Sequence, residues 1–153
     1  MRADSLTTQR PSDCPCGGAQ PNQRSGAKAP RFASCCARFI DGGERAPNAL
    51  ELMRSRYSAY VLGATGYLRA TWAPHTCPAD LDADPDAPDA PDAPRWLGLQ
   101  IKRFTIQDDA HAEVEFVARF KLGGRAHRLH ETSRFVRGDD DRWRYVDGDV
   151  SET

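Results

Sequence analysis

The constraint that bears hardest on this chain is a change of hydrophobic period late in its length. Residues 112 to 122 place Ala112, Val114, Phe116, Ala118, Phe120 and Leu122 on one parity and Glu113, Glu115, Val117, Arg119 and Lys121 on the other, the alternation of a strand with one buried face. Gly123-Gly124 is a hairpin signal. Flanking strands are expected at 96–106, 126–137 and 142–147, joined by Asp108-Asp109 and by the run from Gly138 to Asp141. Upstream, residues 47–72 carry a helical period instead. Asn48 can cap a helix with Glu51 three residues on, and Ala49, Met53, Tyr57, Tyr60 and Val61 share one face. Gly63 ends that helix. Thr65 is the expected cap of a shorter one carrying Tyr67, Leu68, Thr71 and Trp72, stopped by Pro74. Helices followed by consecutive antiparallel strands predict an α+β domain with helices across one face of a curved sheet.

Not all of the chain can take part. Leu, Ile, Val and Phe make up 25 of 153 residues, few enough to lean towards disorder. Residues 17–31 hold no aliphatic larger than Ala, and residues 78–94 hold six Asp, five Pro and a thrice-repeated DAP triplet without Lys or Arg. Neither can offset an ordering entropy of about 1–2 kcal/mol per residue by burial. The second reads as an extended, solvated insert. Residues 1–13 lack a signal-peptide core and are expected to be disordered, and no stretch approaches the length of a membrane span. The expectation is a cytoplasmic protein without membrane contact. A net charge of −1 removes the simplest argument for nucleic-acid binding, and specific DNA binding is not expected.

Four of the five cysteines cluster as Cys14-Pro15-Cys16 and Cys35-Cys36. In a reducing compartment such pairs bind metal more often than they form disulfides. Four thiolates around Zn²⁺ would be a closed structural site without an open position for water. The gaps within the pairs differ from the usual two residues, so a redox pair, an adjacent-residue disulfide and unliganded thiols stay open. Cys77 stands alone beside the acidic insert.

The run CPCGG followed by Phe32-Ala33-Ser34-Cys35-Cys36 resembles the zinc-binding SEC-C motif found at the C-terminus of the SecA translocation ATPase. The segments Ala46–Leu62, Tyr67–Trp72, Trp96–Leu99, Val114–Phe120, Glu131–Phe135 and Trp143–Gly148 resemble the bacterial YchJ-like family. That resemblance implies an N-terminal SEC-C knuckle, here 14–38 with a spacer expanded to 18 residues, on a cone-shaped nuclear-transport-factor-2-like domain over 39–150. It implies one structural zinc held by Cys14, Cys16, Cys35 and Cys36, and sheets that often pair as homodimers. The family's usual Thr-Trp-His-Pro is here Thr71-Trp72-Ala73-Pro74, so no function of this chain depends on a histidine at 73.

No nucleophile triad, phosphate loop or metal-hydrolase motif is present, and nothing in the sequence signals catalysis. The candidate pocket comprises Arg54, Arg56, Tyr60, Glu131, Ser133 and Arg134. Glu131 and Ser133 share a strand parity with Leu129 and Phe135, which puts a carboxylate in an apolar wall, and Arg54 or Arg56 is its expected partner. Residues 1–38 hold six basic side chains against two acids. A basic knuckle on a flexible tether suits an acidic protein or ribosomal partner. The sequence thus reads first as a non-catalytic adaptor and second as a small-molecule binder or enzyme using the cone.

Overall fold

The computed structural model describes residues 10–21, 28–79, 81 and 94–152. The expectations for residues 1–9, for the middle of the cysteine spacer and for most of the acidic insert lie outside these. A 3-10 turn at Phe32–Ser34 leads into a short helix α1 (Ala37–Ile40), then α2 (Ala49–Leu62) and α3 (Thr65–Ala70). Four strands follow, β1 (Arg95–Asp108), β2 (His111–Leu122), β3 (Arg125–Arg137) and β4 (Trp143–Glu152). Among the described residues they form one antiparallel meander in the order β1-β2-β3-β4.

The expected caps of α2 are both present. The Asn48 side chain accepts from the Glu51 amide, and Gly63 closes the helix at φ 76°. The Thr65 cap is not formed: Ala64 occupies that position without a side-chain bond, and the helix ends at Ala70, leaving Thr71 and Trp72 just beyond it. Those two residues instead lie beside β4, where Ala73 donates to the Tyr145 carbonyl and Tyr145 to that of Thr71, both at 2.8 Å. This contact covers the free edge of β4 at Tyr145.

α2 is buried on nearly every side, Ser55 and Ser58 included, so its apolar stripe was only part of its packing surface. Ala112, Val114, Phe116, Ala118 and Phe120 face the core as the alternation requires, while Leu122 is 39% exposed. Bulges in β1 between Trp96 and Gly98, Ile101 and Arg103, and Ile106 and Asp108 bend the sheet around the helices. At the β2–β3 hairpin Gly123 and Gly124 take φ 60° and 82°, which a side chain would disfavour.

The knuckle is not tethered. Cys14, Cys16, Ala19, Phe32, Cys35 and Cys36 belong to the same buried cluster as Leu52, Met53 and Phe116. The reason lies in α2, whose outer face presents Ser58 and Arg54 to this segment. The Cys14 thiol meets Ser58 Oγ at 3.6 Å, and Arg54 Nη1 donates to the Ala19 carbonyl at 3.1 Å. Leu81, inside the segment read as solvated, is also buried, against Ala59 and Leu68.

Candidate functional site

The thiol cluster is assembled by backbone pairing rather than by the spacer. Cys14 donates to the Pro30 carbonyl and Phe32 to that of Ser12, with an isolated bridge between Asp13 and Arg31. These bonds close the 18-residue loop at its base. Gly17 and Gly18 turn the chain at φ 67° and 66°, and a Cβ on Gly18 would press on the Pro30 ring. The result brings the sulfurs of Cys14, Cys16, Cys35 and Cys36, all buried, within 4.8 Å of one another.

Those distances fit a tetrahedral metal. With metal–sulfur bonds of about 2.3 Å, a regular tetrahedron has an edge of about 3.8 Å, and Cys16 and Cys35 stand 3.7 Å apart. The separation is far beyond a disulfide bond of about 2.0 Å, and all five cysteines are free. The Gly18 amide donates to Cys16 Sγ at 3.3 Å, the kind of outer contact that orients a thiolate ligand. Hydrogen bonds from Cys16, Cys35 and Cys36 hold the Cys14 thiol well below the usual range, whereas Cys16 is pushed up by its bond to Cys14, then by Cys35. Four buried sulfurs thus cannot all ionise without a cation among them. A metal here would be fully enclosed by sulfur and would supply structural cross-linking rather than chemistry. Cys77 stands outside this cluster, next to Leu81.

The second feature is a cavity of about 320 Å³ between α2 and the concave face of the sheet. Its wall is mainly aromatic: Tyr57 and Trp96 meet edge to face at 5.9 Å, and Trp96 leans on Phe120 at 5.4 Å. Of the six pocket residues expected from the sequence, Arg56, Tyr60, Glu131 and Ser133 line it. Arg54 and Arg134 do not. Arg54 reaches the opposite way, to Ala19 and to Glu51 at 3.4 Å. Arg134 has the outward parity of β3 and pairs with Asp147 at 2.6 Å and Asp149 at 3.1 Å. His130 is likewise outward, bonded to Glu115 at 2.7 Å.

Glu131 has partners other than the arginine expected for it. Ser133 Oγ donates to Glu131 Oε2 at 2.6 Å and Tyr145 Oη to the same oxygen at 2.9 Å. Burial first, then the Glu131 charge and hydrogen bond, push the Tyr145 phenol up, so it remains the donor. Gly148 stands beside Ser133 in the register, and any Cβ there would fall on the Glu131 carboxylate. Arg56 donates to the Leu68 carbonyl at 2.9 Å and meets Thr71 Oγ1 at 2.7 Å. Its guanidinium lies 4.9 Å from the Trp72 ring centre and 4.8 Å from that of Tyr145, a double cation–π arrangement. Burial lowers its pKa, opposed by surrounding phenols and Glu131. The Trp72 indole N–H is buried with no partner, although Trp72 lines the cavity. Sequence reasoning missed Tyr145: strict alternation would put it on the outward face with Asp147, and the slip in register between Arg134 and Phe135 turns it inward.

No helix among the described residues is long and apolar enough to cross a membrane. The family model described as the YchJ middle NTF2-like domain matches residues 48–148. A UPF0225 protein of Ralstonia nicotianae is 54% identical over 146 residues, covering 90% of this chain and 91% of that one. One from Cupriavidus metallidurans is 52% identical over 147 residues, covering 93% and 92%. A crystal structure of a SEC-C motif-containing protein from Psychrobacter arcticus superposes with TM-score 0.70 at 30% identity, over 95% of this chain and 85% of that one. The solution structure of a SEC-C motif-containing protein from Rhodopseudomonas palustris gives 0.68 at 27%, over 90% and 97%. With two thirds of its length inside the family model and relatives matched almost end to end, this chain is a member of the YchJ family.

Proposed function

We propose that the protein binds a small molecule in its cone and that a structural zinc on the four cysteines holds the cone's outer helix in place. The observation that carries this reading is the Glu131 carboxylate in a cavity of about 320 Å³ walled by Tyr57, Trp96, Phe116 and Phe120. A cone plugged by Tyr57, Tyr60, Phe116 and Phe120 would have favoured the adaptor reading. Its volume lies at the lower end of the range for ligand pockets, about 300–1,000 Å³, so the fitting ligand is compact and largely apolar or aromatic. Ser133 and Tyr145 both engage Oε2, which leaves Oε1 to accept from an amine, amide or hydroxyl of that ligand. Zinc requires thiols kept reduced, which agrees with a cytoplasmic site of action.

A fragment screen followed through the fluorescence of Trp72 and Trp96 tests the cone. Apolar fragments bearing a donor should bind the full-length protein and lose at least tenfold in affinity in Glu131→Gln. Failure of every such fragment, or binding indifferent to both Glu131→Gln and the cavity-filling Ala118→Leu, refutes it. The adaptor reading, in which the knuckle contacts a protein or ribosomal partner, has less support from the geometry. Of the knuckle's cations, Arg10 pairs with Asp41 at 2.7 Å and Arg38 with Glu51 at 3.1 Å, so part of its positive charge is already compensated.

A further inference from the structure

The outward face of the sheet is divided by charge. At the end away from the β2–β3 hairpin its cations are compensated: Arg103 lies 4.0 Å from Glu115, His130 2.7 Å from the same residue, and Arg134 between Asp147 and Asp149. At the hairpin end they are not. The register places Arg95 opposite Lys121 on β1 and β2, and Arg119 opposite Arg128 on β2 and β3. These four share the outward parity, form two adjacent rows, and are all exposed. Among the described residues none has an ion-pair partner.

Like charges directly opposite one another on neighbouring strands destabilise a sheet. The Arg119–Arg128 pair is therefore an electrostatic cost that a bound anion would relieve. Arg119 also lies across Gly98, where a Cβ would sit 2.7 Å from its Nη2, so this glycine, next to the bulge, leaves the guanidinium room to lie flat on the sheet.

We infer that this block of Arg95, Arg119, Lys121 and Arg128 is a docking surface for the phosphodiester backbone of single-stranded nucleic acid. Three of the four cations are arginines, whose planar forks match phosphate oxygens two at a time. Rows about 7 Å apart along strands about 4.8 Å apart offer successive phosphates separate partners. Its neighbours on this face are Gly98, Gln100, Val117, Ala126 and His130; Val117 is buried, and the His130 ring is bonded to Glu115 at 2.7 Å. A protein partner would need an aromatic or aliphatic anchor at its centre, and base reading would need stacking rings; the four side chains of this block supply neither. The expected binding is thus weak, independent of sequence and salt-sensitive, and it is compatible with a chain of net charge −1 because the excess is local.

The test is fluorescence anisotropy of a labelled twelve-nucleotide oligouridine with the full-length protein. Arg119→Gln/Arg128→Gln should weaken binding about tenfold or more and flatten the salt dependence by about 1.4 in log–log slope, at about 0.7 per phosphate contact on a single strand. Its Tm should stand at or above the parent's, since a repulsive pair is gone. Arg103→Gln/Arg134→Gln, at the compensated end, should stay within about twofold. A poly-glutamate peptide that binds as tightly as the oligonucleotide would overturn the assignment in favour of an acidic protein. An unchanged salt slope in the first variant would overturn it outright. So would binding that emerges only when the six Asp of 80–92, which precede Arg95 in the chain, are changed to Asn.

Discussion

Removing residues 1–38 separates an appended knuckle from one built into the core. An appended module would leave the remainder unaffected, but Phe32, 2% exposed, and the four cysteines, at 1–4%, pack in the same cluster as Leu52 and Met53. Losing the cover that Phe32 provides re-exposes a comparable apolar area on its neighbours, worth about 2–3 kcal/mol. Ser58 loses its contact to Cys14, and Arg54 its bond to the Ala19 carbonyl, at about 0.5–1.5 kcal/mol each. The sum, about 4 kcal/mol, lowers Tm by about 15–30 °C for a domain of this size. Chelation should act similarly on the intact chain. Apolar burial in a segment with so few aliphatics cannot offset an ordering entropy of about 1–2 kcal/mol per residue, whereas structural zinc contributes on the order of 10 kcal/mol. Thermal melts of the full chain, the chelated chain and residues 39–153, followed by tryptophan fluorescence, provide the comparison. A truncated or chelated protein melting within about 3 °C of the parent would refute the reasoning. Elemental analysis of the reduced protein should give one zinc per chain, and Cys35→Ser should lose it.

Asn48→Ala removes the acceptor for the Glu51 amide at 2.9 Å and should cost about 1 kcal/mol, a Tm loss of about 4–8 °C readable by calorimetry. Gly148→Ala places a Cβ on the Glu131 carboxylate, so fragment binding in the cone should be lost, and retention of full affinity would remove Glu131 from the site. Glu131→Gln itself should move Tm by less than about 5 °C, about 1 kcal/mol, because a neutral amide oxygen still accepts from Ser133 and Tyr145; a fall beyond ten degrees would reveal a buried cation dependent on it. Arg144 and the Arg142 amide hold the Asp140 carboxyl well below the usual carboxylate range. Its folded pKa is depressed, so its contribution is present above the ordinary carboxylate pKa and lost as pH falls through the folded value. The Tm gap between parent and Asp140→Asn should therefore be small but measurable at pH 7 and vanish in strong acid.

The strands were legible because period two is a local signal: Val114, Phe116 and Ala118 name their buried face without reference to anything distant. The caps of α2 were legible for the same reason, since Asn48 and Gly63 act within one turn of themselves. What the sequence hid was what covers the other sides of α2. Arg54 and Arg56 both read as pocket residues, and only the tertiary arrangement shows the thiol cluster meeting Ser58 and Arg54 on the far side of the helix. The pocket was half legible: strand parity placed Glu131 and Ser133 together, but parity alone left open which side of β3 faced the helices. Arg134, with the other parity, consequently lies outside. Tyr145 was invisible as a partner because the register between β3 and β4 slips between Arg134 and Phe135, a bulge that no spacing rule foretells.

That slip matters for how two opposite charges share one cavity without meeting. The obvious pairing, Glu131 with Arg56, would have filled the cone with a closed ion pair whose desolvation its own attraction barely repays. Instead Arg56 is satisfied by a helix-end carbonyl, a threonine oxygen and two ring faces, and Glu131 by two hydroxyls on one of its oxygens. Tyr145 serves both, its ring against the guanidinium and its hydroxyl on the carboxylate. The cation is thereby tied into the wall and withdrawn from any direct bond to the anion. The carboxyl group is oriented through one oxygen, and in the proposed reading its second oxygen discriminates a ligand that donates a hydrogen bond from one that does not.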